Sequence, residues 1–205
     1  AWNAIAAFQR TVVTDASKVP FDRHLAGDAT ALSDAAKRGL ALFEGKAACL
    51  ACHNGPLVSD GRFYATGVPR NPAFEEDPLY QITLRWELYQ KGVPEEAYRS
   101  GGDDLGLYHV TKRPGDKGKF RTPSLRELRW TGPYMHNGVF ETVADVVAFY
   151  DRGGGEGNRA LEPLGLSEGE KADLVAFLEA LSMDEPLVMD EPVLPETATW
   201  SEIKP

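Results

Sequence analysis

Residues 49–53 read Cys49-Leu50-Ala51-Cys52-His53. A C-x-x-C-H run is the attachment signal of a c-type haem. Two thiols one helical turn apart reach the two vinyl groups of a single porphyrin and form thioethers with them. The residue that follows, His53, is then held beneath the iron as proximal ligand. Only a neutral imidazole donates to iron, and a hydrogen bond from its other ring nitrogen, usually to a backbone carbonyl, fixes the ring. Two other readings of paired cysteines compete. A structural zinc site takes four ligands, and the chain offers no second C-x-x-C and no H-x-x-x-H. A thiol–disulfide redox pair belongs near a βαβ pattern, which this sequence lacks. One covalently bound haem c is therefore expected, attached through Cys49 and Cys52 with His53 on the iron.

Working outward, the 205 residues are 42% hydrophobic and 26% charged, the balance of an ordinary folded domain with room for an appended arm. No apolar run approaches the roughly 20 residues that cross a bilayer, so no membrane span is expected. The formal charge of −9 argues against nucleic acid as a partner, because phosphates repel such a surface. It suits a basic or neutral redox partner protein. Both cysteines lie in the haem motif, which leaves none for a disulfide. Bacteria attach haem covalently outside the cytoplasm, so an exported, periplasmic protein is expected. No signal peptide is visible at Ala1, and the chain is read as mature or processed.

Hydrophobic spacing predicts a helix over 2–13, on Ile5, Phe8 and Val12, followed by a polar loop from Thr14 to Ala29. Ser33 reads as the N-cap of a helix from Asp34 to Glu44 that turns Leu40 and Phe43 toward a core and runs into the haem motif. Asn54-Gly55-Pro56 then breaks the chain, and Asp60-Gly61 marks a turn. Residues 73–118 form a loop-rich insertion in which His109 carries no assigned role. Pro123 and Pro133 forbid one continuous helix over 119–138. Thr142 to Asp145 and Ser167 to Glu170 read as capping boxes. They open helices that end near Gly153 and near Leu181. The domain is drawn as 1–182. Residues 183–205, where proline alternates with acidic residues, form an extended tail. Arg121, Arg126 and Arg129 are candidates for the haem propionates, because a guanidinium satisfies a carboxylate with two parallel bonds.

Several blocks in fixed order around the motif carry a resemblance. They are Ala6 to Thr11, Phe21-Asp22-Arg23 with Leu25 to Asp28, Lys37-Arg38-Gly39 with Leu42-Phe43, and Cys49 to Leu57. Phe120 to Arg126, Thr131 to Phe140, Val146 to Gly154 and Leu164 to Leu181 complete the set. The chain resembles the C-terminal haem domain of the bacterial dihaem cytochrome c peroxidases and the MauG family. The fold this implies is a mostly α, cytochrome c-like haem domain with long irregular loops and little sheet. The resemblance also implies a function. The haem of this domain relays electrons or oxidising equivalents to or from a partner, peroxide-reactive haem in a second domain or chain. This sequence has one motif where the family has two. It reads as a fragment, as one subunit of a split enzyme, or as a single-haem relative. The competing function is a monohaem periplasmic electron-transfer cytochrome with no catalysis of its own. A third is a docking subunit held by the acidic tail.

In the family this haem is six-coordinate. Residue types alone favour Met135 as the second axial ligand, since methionine is the usual partner in small cytochromes. The resemblance points elsewhere. In the peroxidases the distal methionine falls nineteen residues after the threonine of a Thr-x-Pro element, and a tyrosine holds that place in MauG-like members. Counted from Thr131-Gly132-Pro133, the place falls on Tyr150. Tyr150 is the expected distal ligand and Met135 the alternative. The same resemblance implies a calcium ion bound by the carbonyls of Thr131 and Pro133, completed by ligands from the other domain. It gives His136 a structural role near the haem.

Overall fold

The computed structural model describes residues 2–73, 86, 88–92 and 104–187. The described chain is mostly helical. The helices that lie wholly among the described residues are, in order, α1 (Trp2–Gln9), α2 (Pro20–Leu25), α3 (Asp34–Glu44), α4 (Tyr108–Thr111), α5 (Val143–Asp151) and α6 (Glu168–Glu179). The named strands, β1 (Phe63–Tyr64) and β2 (Phe120–Arg121), pair antiparallel with Phe63 opposite Arg121 and Tyr64 opposite Phe120. The tail beyond 187 and most of the 73–118 stretch lie outside the described residues. Met183, the first residue of the expected tail, is buried, and its carbonyl accepts the Trp130 indole N–H at 3.0 Å.

Capping explains where the principal helices start. The Ser33 hydroxyl accepts the Ala36 amide at 3.1 Å and opens α3. Thr142 with Asp145, and Ser167 with Glu170, form reciprocal capping boxes at α5 and α6, each satisfying two amides that a helix start leaves bare. Two expectations need correction. The stretch 14–29 is not simply a loop, for it contains α2 and a short 3₁₀ turn, Ala16–Lys18. Pro20 sits at the first position of α2, where its missing N–H costs nothing, so it starts a helix instead of breaking one. The opening helix is shorter than 2–13: it ends at Gln9, beyond which the Thr11 amide and hydroxyl both bond the Phe8 carbonyl.

The core sits where α3 crosses α6 and α5 packs beside them. Phe43, Val147, Leu174, Phe177 and Leu181 are buried together. Phe177 takes the Phe21 and Phe43 rings on its edges, at 5.4 and 5.1 Å between centroids. Gly39 lies at the helix crossing. A Cβ there would overlap the Asp173 carbonyl and come within 2.7 Å of the Phe177 Cβ. Two ion pairs tie the same helices at the surface. Arg38 donates to both carboxylate oxygens of Asp173 at 2.7 and 2.6 Å, and Lys46 reaches both oxygens of Glu170 at 2.9 and 2.8 Å. α3 ends at the motif, so whatever fixes α3 on α6 also fixes where the two cysteines emerge.

The crossing predicts that Gly39→Ala, although a better helix former, destabilises the domain by overpacking, by about 1–3 kcal/mol; thermal unfolding of the variant measures it. The hydrogen bond from Lys46, then those from the Ser167 cap, hold Glu170 down at about 2 from the usual 4.5. A depressed carboxylate contributes stability above its unfolded value and loses it as the pH falls through the folded one. The melting temperature should therefore fall between about pH 4.5 and pH 2, and Lys46→Met should flatten that part of the curve.

Candidate functional site

The motif leaves α3 through a sharp turn. Ala48 takes a left-handed conformation at φ +50° and leads into a 3₁₀ turn, Cys49–Ala51. The Cys49 carbonyl accepts the amides of Cys52 and His53 at 3.2 and 2.9 Å, which gathers both thiols and the imidazole on one short turn. Both thiols are free and half-buried. Burial, with the neighbouring Cys52 thiol adding to it, pushes the Cys49 thiol up to about 11. It stays protonated at neutral pH.

His53 Nδ1 lies 3.1 Å from the Val58 carbonyl oxygen. A carbonyl only accepts, so the proton sits on Nδ1 and the Nε2 lone pair is free to donate to a metal. Burial lowers the His53 pKa, against the opposing effects of the Val58 bond and the Asp60 charge, and favours the neutral ring that ligation requires. The loop that presents Val58 is fastened to residues 122–126. Ser59 donates to the Thr122 carbonyl at 2.8 Å, Ser124 to the Leu57 carbonyl at 2.7 Å, and Arg126 Nε to the Pro56 carbonyl at 3.1 Å.

Tyr150 lies in the last turn of α5. The glycines that follow turn the chain back: Gly153 and Gly154 bond the carbonyls of Tyr150 and Phe149 at 2.9 and 3.1 Å. Gly155 donates to the Thr66 carbonyl at 3.1 Å. Gly67 and Gly155 meet backbone to backbone, each filling the space a Cβ on the other would need. Burial, and after it the thiols of Cys49 and Cys52, push the Tyr150 hydroxyl up to about 12. No described residue hydrogen-bonds that hydroxyl. A cavity of about 560 Å³ opens at the end of α5, lined by Val68, Arg70, Phe149 and Arg152 among others; Tyr150 is not part of its lining.

The three arginines are placed differently. Arg126 holds Asp22 with two bonds of 2.6 and 2.9 Å besides its contact to Pro56, which commits its donors to the protein. Arg129 reaches Asp184 at 3.3 Å. The Arg121 guanidinium packs over Gly61, and no described residue bonds it. Thr131 and Pro133 lie on an exposed turn, and their carbonyls accept no hydrogen bond from the described backbone. Met135 is half-buried in that turn at φ +70°. His136 stacks on Phe120 at 3.5 Å between ring centroids. Among the described residues, no group of three or more histidines, cysteines or acids could hold a metal ion.

Sequence reasoning passed over two residues beside the motif. The Tyr64 hydroxyl donates to Asp60 Oδ2 at 2.7 Å, and the Asp60 amide bonds the Cys52 carbonyl at 2.8 Å. The Asp60 bond, then burial, then the side chain of Cys52 push Tyr64 up to about 12. Asp60 was legible only as half of a turn signal, and Tyr64 reaches Asp60 from a two-residue strand too short to announce itself. Two free thiols and one available imidazole nitrogen on one short turn are the donor set that a covalently bound haem would need.

No protein-family model matches the chain. Over 198 residues, 95% of its length, it is 61% identical to a cytochrome-c peroxidase, IdrP1, of Pseudomonas sp. (strain SCT), and it covers 52% of that protein. It is 36% identical over 197 residues to the methylamine utilization protein MauG of Methylorubrum extorquens, covering 94% of this chain and 46% of the relative. The crystal structure of a MauG-like protein associated with microbial copper homeostasis superposes with a TM-score of 0.63 at 31% identity, over 88% of this chain and 56% of the other. The chain spans about half the length of the curated relatives it matches. Over that span it belongs to the dihaem cytochrome c peroxidase and MauG family.

Proposed function

We propose that the chain is the cytochrome c-like, C-terminal haem region of a periplasmic oxidoreductase of dihaem peroxidase or MauG type. It relays electrons or oxidising equivalents to or from a second, peroxide-reactive haem carried by another segment or partner chain. What supports this reading is His53, whose Nδ1 contact with Val58 leaves Nε2 for a metal, in a chain 61% identical to a cytochrome-c peroxidase of which it covers 52%. When bound, the haem supplies the reversible one-electron chemistry.

The chain's own residues anchor, orient and screen. Cys49 and Cys52 are the thioether donors. His53 is the proximal ligand, its plane set by the Val58 carbonyl. Tyr150 is the distal donor. Burial keeps its hydroxyl protonated in the free protein, and a bound metal's positive charge would lower the cost of releasing that proton. An anionic oxygen ligand favours the more oxidised states of iron, which suits a haem that stores oxidising equivalents. Met135 is the second choice and would favour a conventional electron carrier. Of the three arginines, Arg121 is the propionate partner we favour, since Arg126 and Arg129 already hold Asp22 and Asp184. The Thr131 and Pro133 carbonyls offer calcium two oxygens from an exposed turn, with the remaining ligands coming from the second domain and water.

Replacing Tyr150 by Phe keeps the ring packing and removes the oxygen. The ferric optical spectrum of the holoprotein should shift to that of a five-coordinate or water-ligated haem; an unchanged spectrum would exclude Tyr150 from the iron. Counting haems in the native particle, by native mass and a haem assay on source-purified protein, tests the relay. Two haems per particle are expected. One haem on one chain would reduce the function to simple electron transfer.

A further inference from the structure

Tyr64 and Asp60 form a second phenol site at the motif, apart from the axial positions. Their hydrogen bond is short, 2.7 Å from Tyr64 Oη to Asp60 Oδ2. The other carboxylate oxygen, Oδ1, accepts the Arg62 amide at 2.9 Å, and the Asp60 amide donates to the Cys52 carbonyl at 2.8 Å. The carboxylate is therefore locked on the backbone and aimed at the phenol. The pair is thus tied through one backbone bond to Cys52, the residue that would carry the second thioether. β1, paired with β2, holds the ring half-buried.

An oxidised phenol is a very strong acid. A tyrosine gives up an electron readily only where a base already accepts its hydrogen bond, so that the proton leaves with the electron. Buried tyrosines with neutral acceptors do not meet that condition. Tyr134, for instance, donates to the Leu128 carbonyl at 2.6 Å. Tyr64 meets it.

We propose that Tyr64 is a redox-active residue, and Asp60 its proton acceptor, through which an oxidising equivalent on the haem passes to the protein. In the step, Tyr64 loses one electron to the oxidised haem, which is reduced by one. The Oη–H bond breaks and the proton moves to Asp60 Oδ2. A neutral phenoxyl radical and a neutral carboxylic acid remain, and an outside one-electron donor, a reduced redox protein, restores the phenol as the proton returns. The inference rests on the reading of the chain as a relay for oxidising equivalents.

The test uses holoprotein with its full haem complement, treated with hydrogen peroxide, frozen within milliseconds and examined by electron paramagnetic resonance and optical spectroscopy. A tyrosyl signal should form in the native protein, disappear in Tyr64→Phe and be strongly reduced in Asp60→Asn. Both variants should keep native haem content and ferric spectrum, which reports on folding. A haem spectrum that responds to peroxide with no tyrosyl signal, or with a signal that survives Tyr64→Phe, overturns the assignment and leaves the relay reading standing. A haem spectrum that does not respond to peroxide defeats the relay reading instead.

Discussion

The hydrogen bond from His53 Nδ1 to the Val58 carbonyl is the contact on which the site depends. It fixes the tautomer, the ring plane and the nitrogen left for metal. The carbonyl is itself held by other bonds. The 54–59 loop hangs from Thr122, Ser124 and Arg126, and Arg126 is anchored in turn by Asp22 on α2. A chain of polar contacts thus runs from a helix near the start of the protein to the imidazole. Arg126, in an otherwise acidic protein, is best understood as part of that chain.

The second constraint is apolar. α3 and α6 approach closely enough at Gly39 to exclude a methyl group, and Phe177 fills the corner between Phe21 and Phe43. Protein interiors packed this way have few alternative arrangements. The exit of α3, and with it the motif, inherits that rigidity. On the other side, the Gly67–Gly155 backbone contact pins the end of α5. The position of Tyr150 is therefore set by loop backbone as much as by the helix that carries it.

Legibility in the sequence followed the range of the interactions. α3, α5 and α6 were readable because their signals, Ser33, the Thr142–Asp145 box and the Ser167–Glu170 box, are complete within four residues. The haem motif is readable for the same reason, its chemistry being contained in five consecutive residues. α2 was hidden because Pro20 is an equally good breaker and helix starter, and only burial of Val19 and the fold around it choose between the two. The Asp22–Arg126 pair joins residues 104 apart and leaves no local trace. Tyr150 could be singled out only through likeness to a family, since nothing in its own neighbourhood distinguishes it from another half-buried aromatic. Tyr64 was missed because its meaning lies in a partner, Asp60, that is fastened to Cys52 only after the loop has closed.

The chain is fastened on both sides of the stretch between Asn71 and Gly106. On the way out, the side chains of Asn71 and Asn137 bond the carbonyls of Asn137 and Pro69 at 2.9 and 2.8 Å. On the way back, the Leu107 amide bonds the Lys119 carbonyl at 2.9 Å, just before β2. The two anchors bear on different neighbours of the motif: Asn71 on the turn that carries Met135 and His136, Leu107 on the approach to β2, which pairs with the strand of Tyr64. A change at either anchor therefore reaches the surroundings of the motif through backbone bonds, at a distance in sequence that no local pattern would reveal.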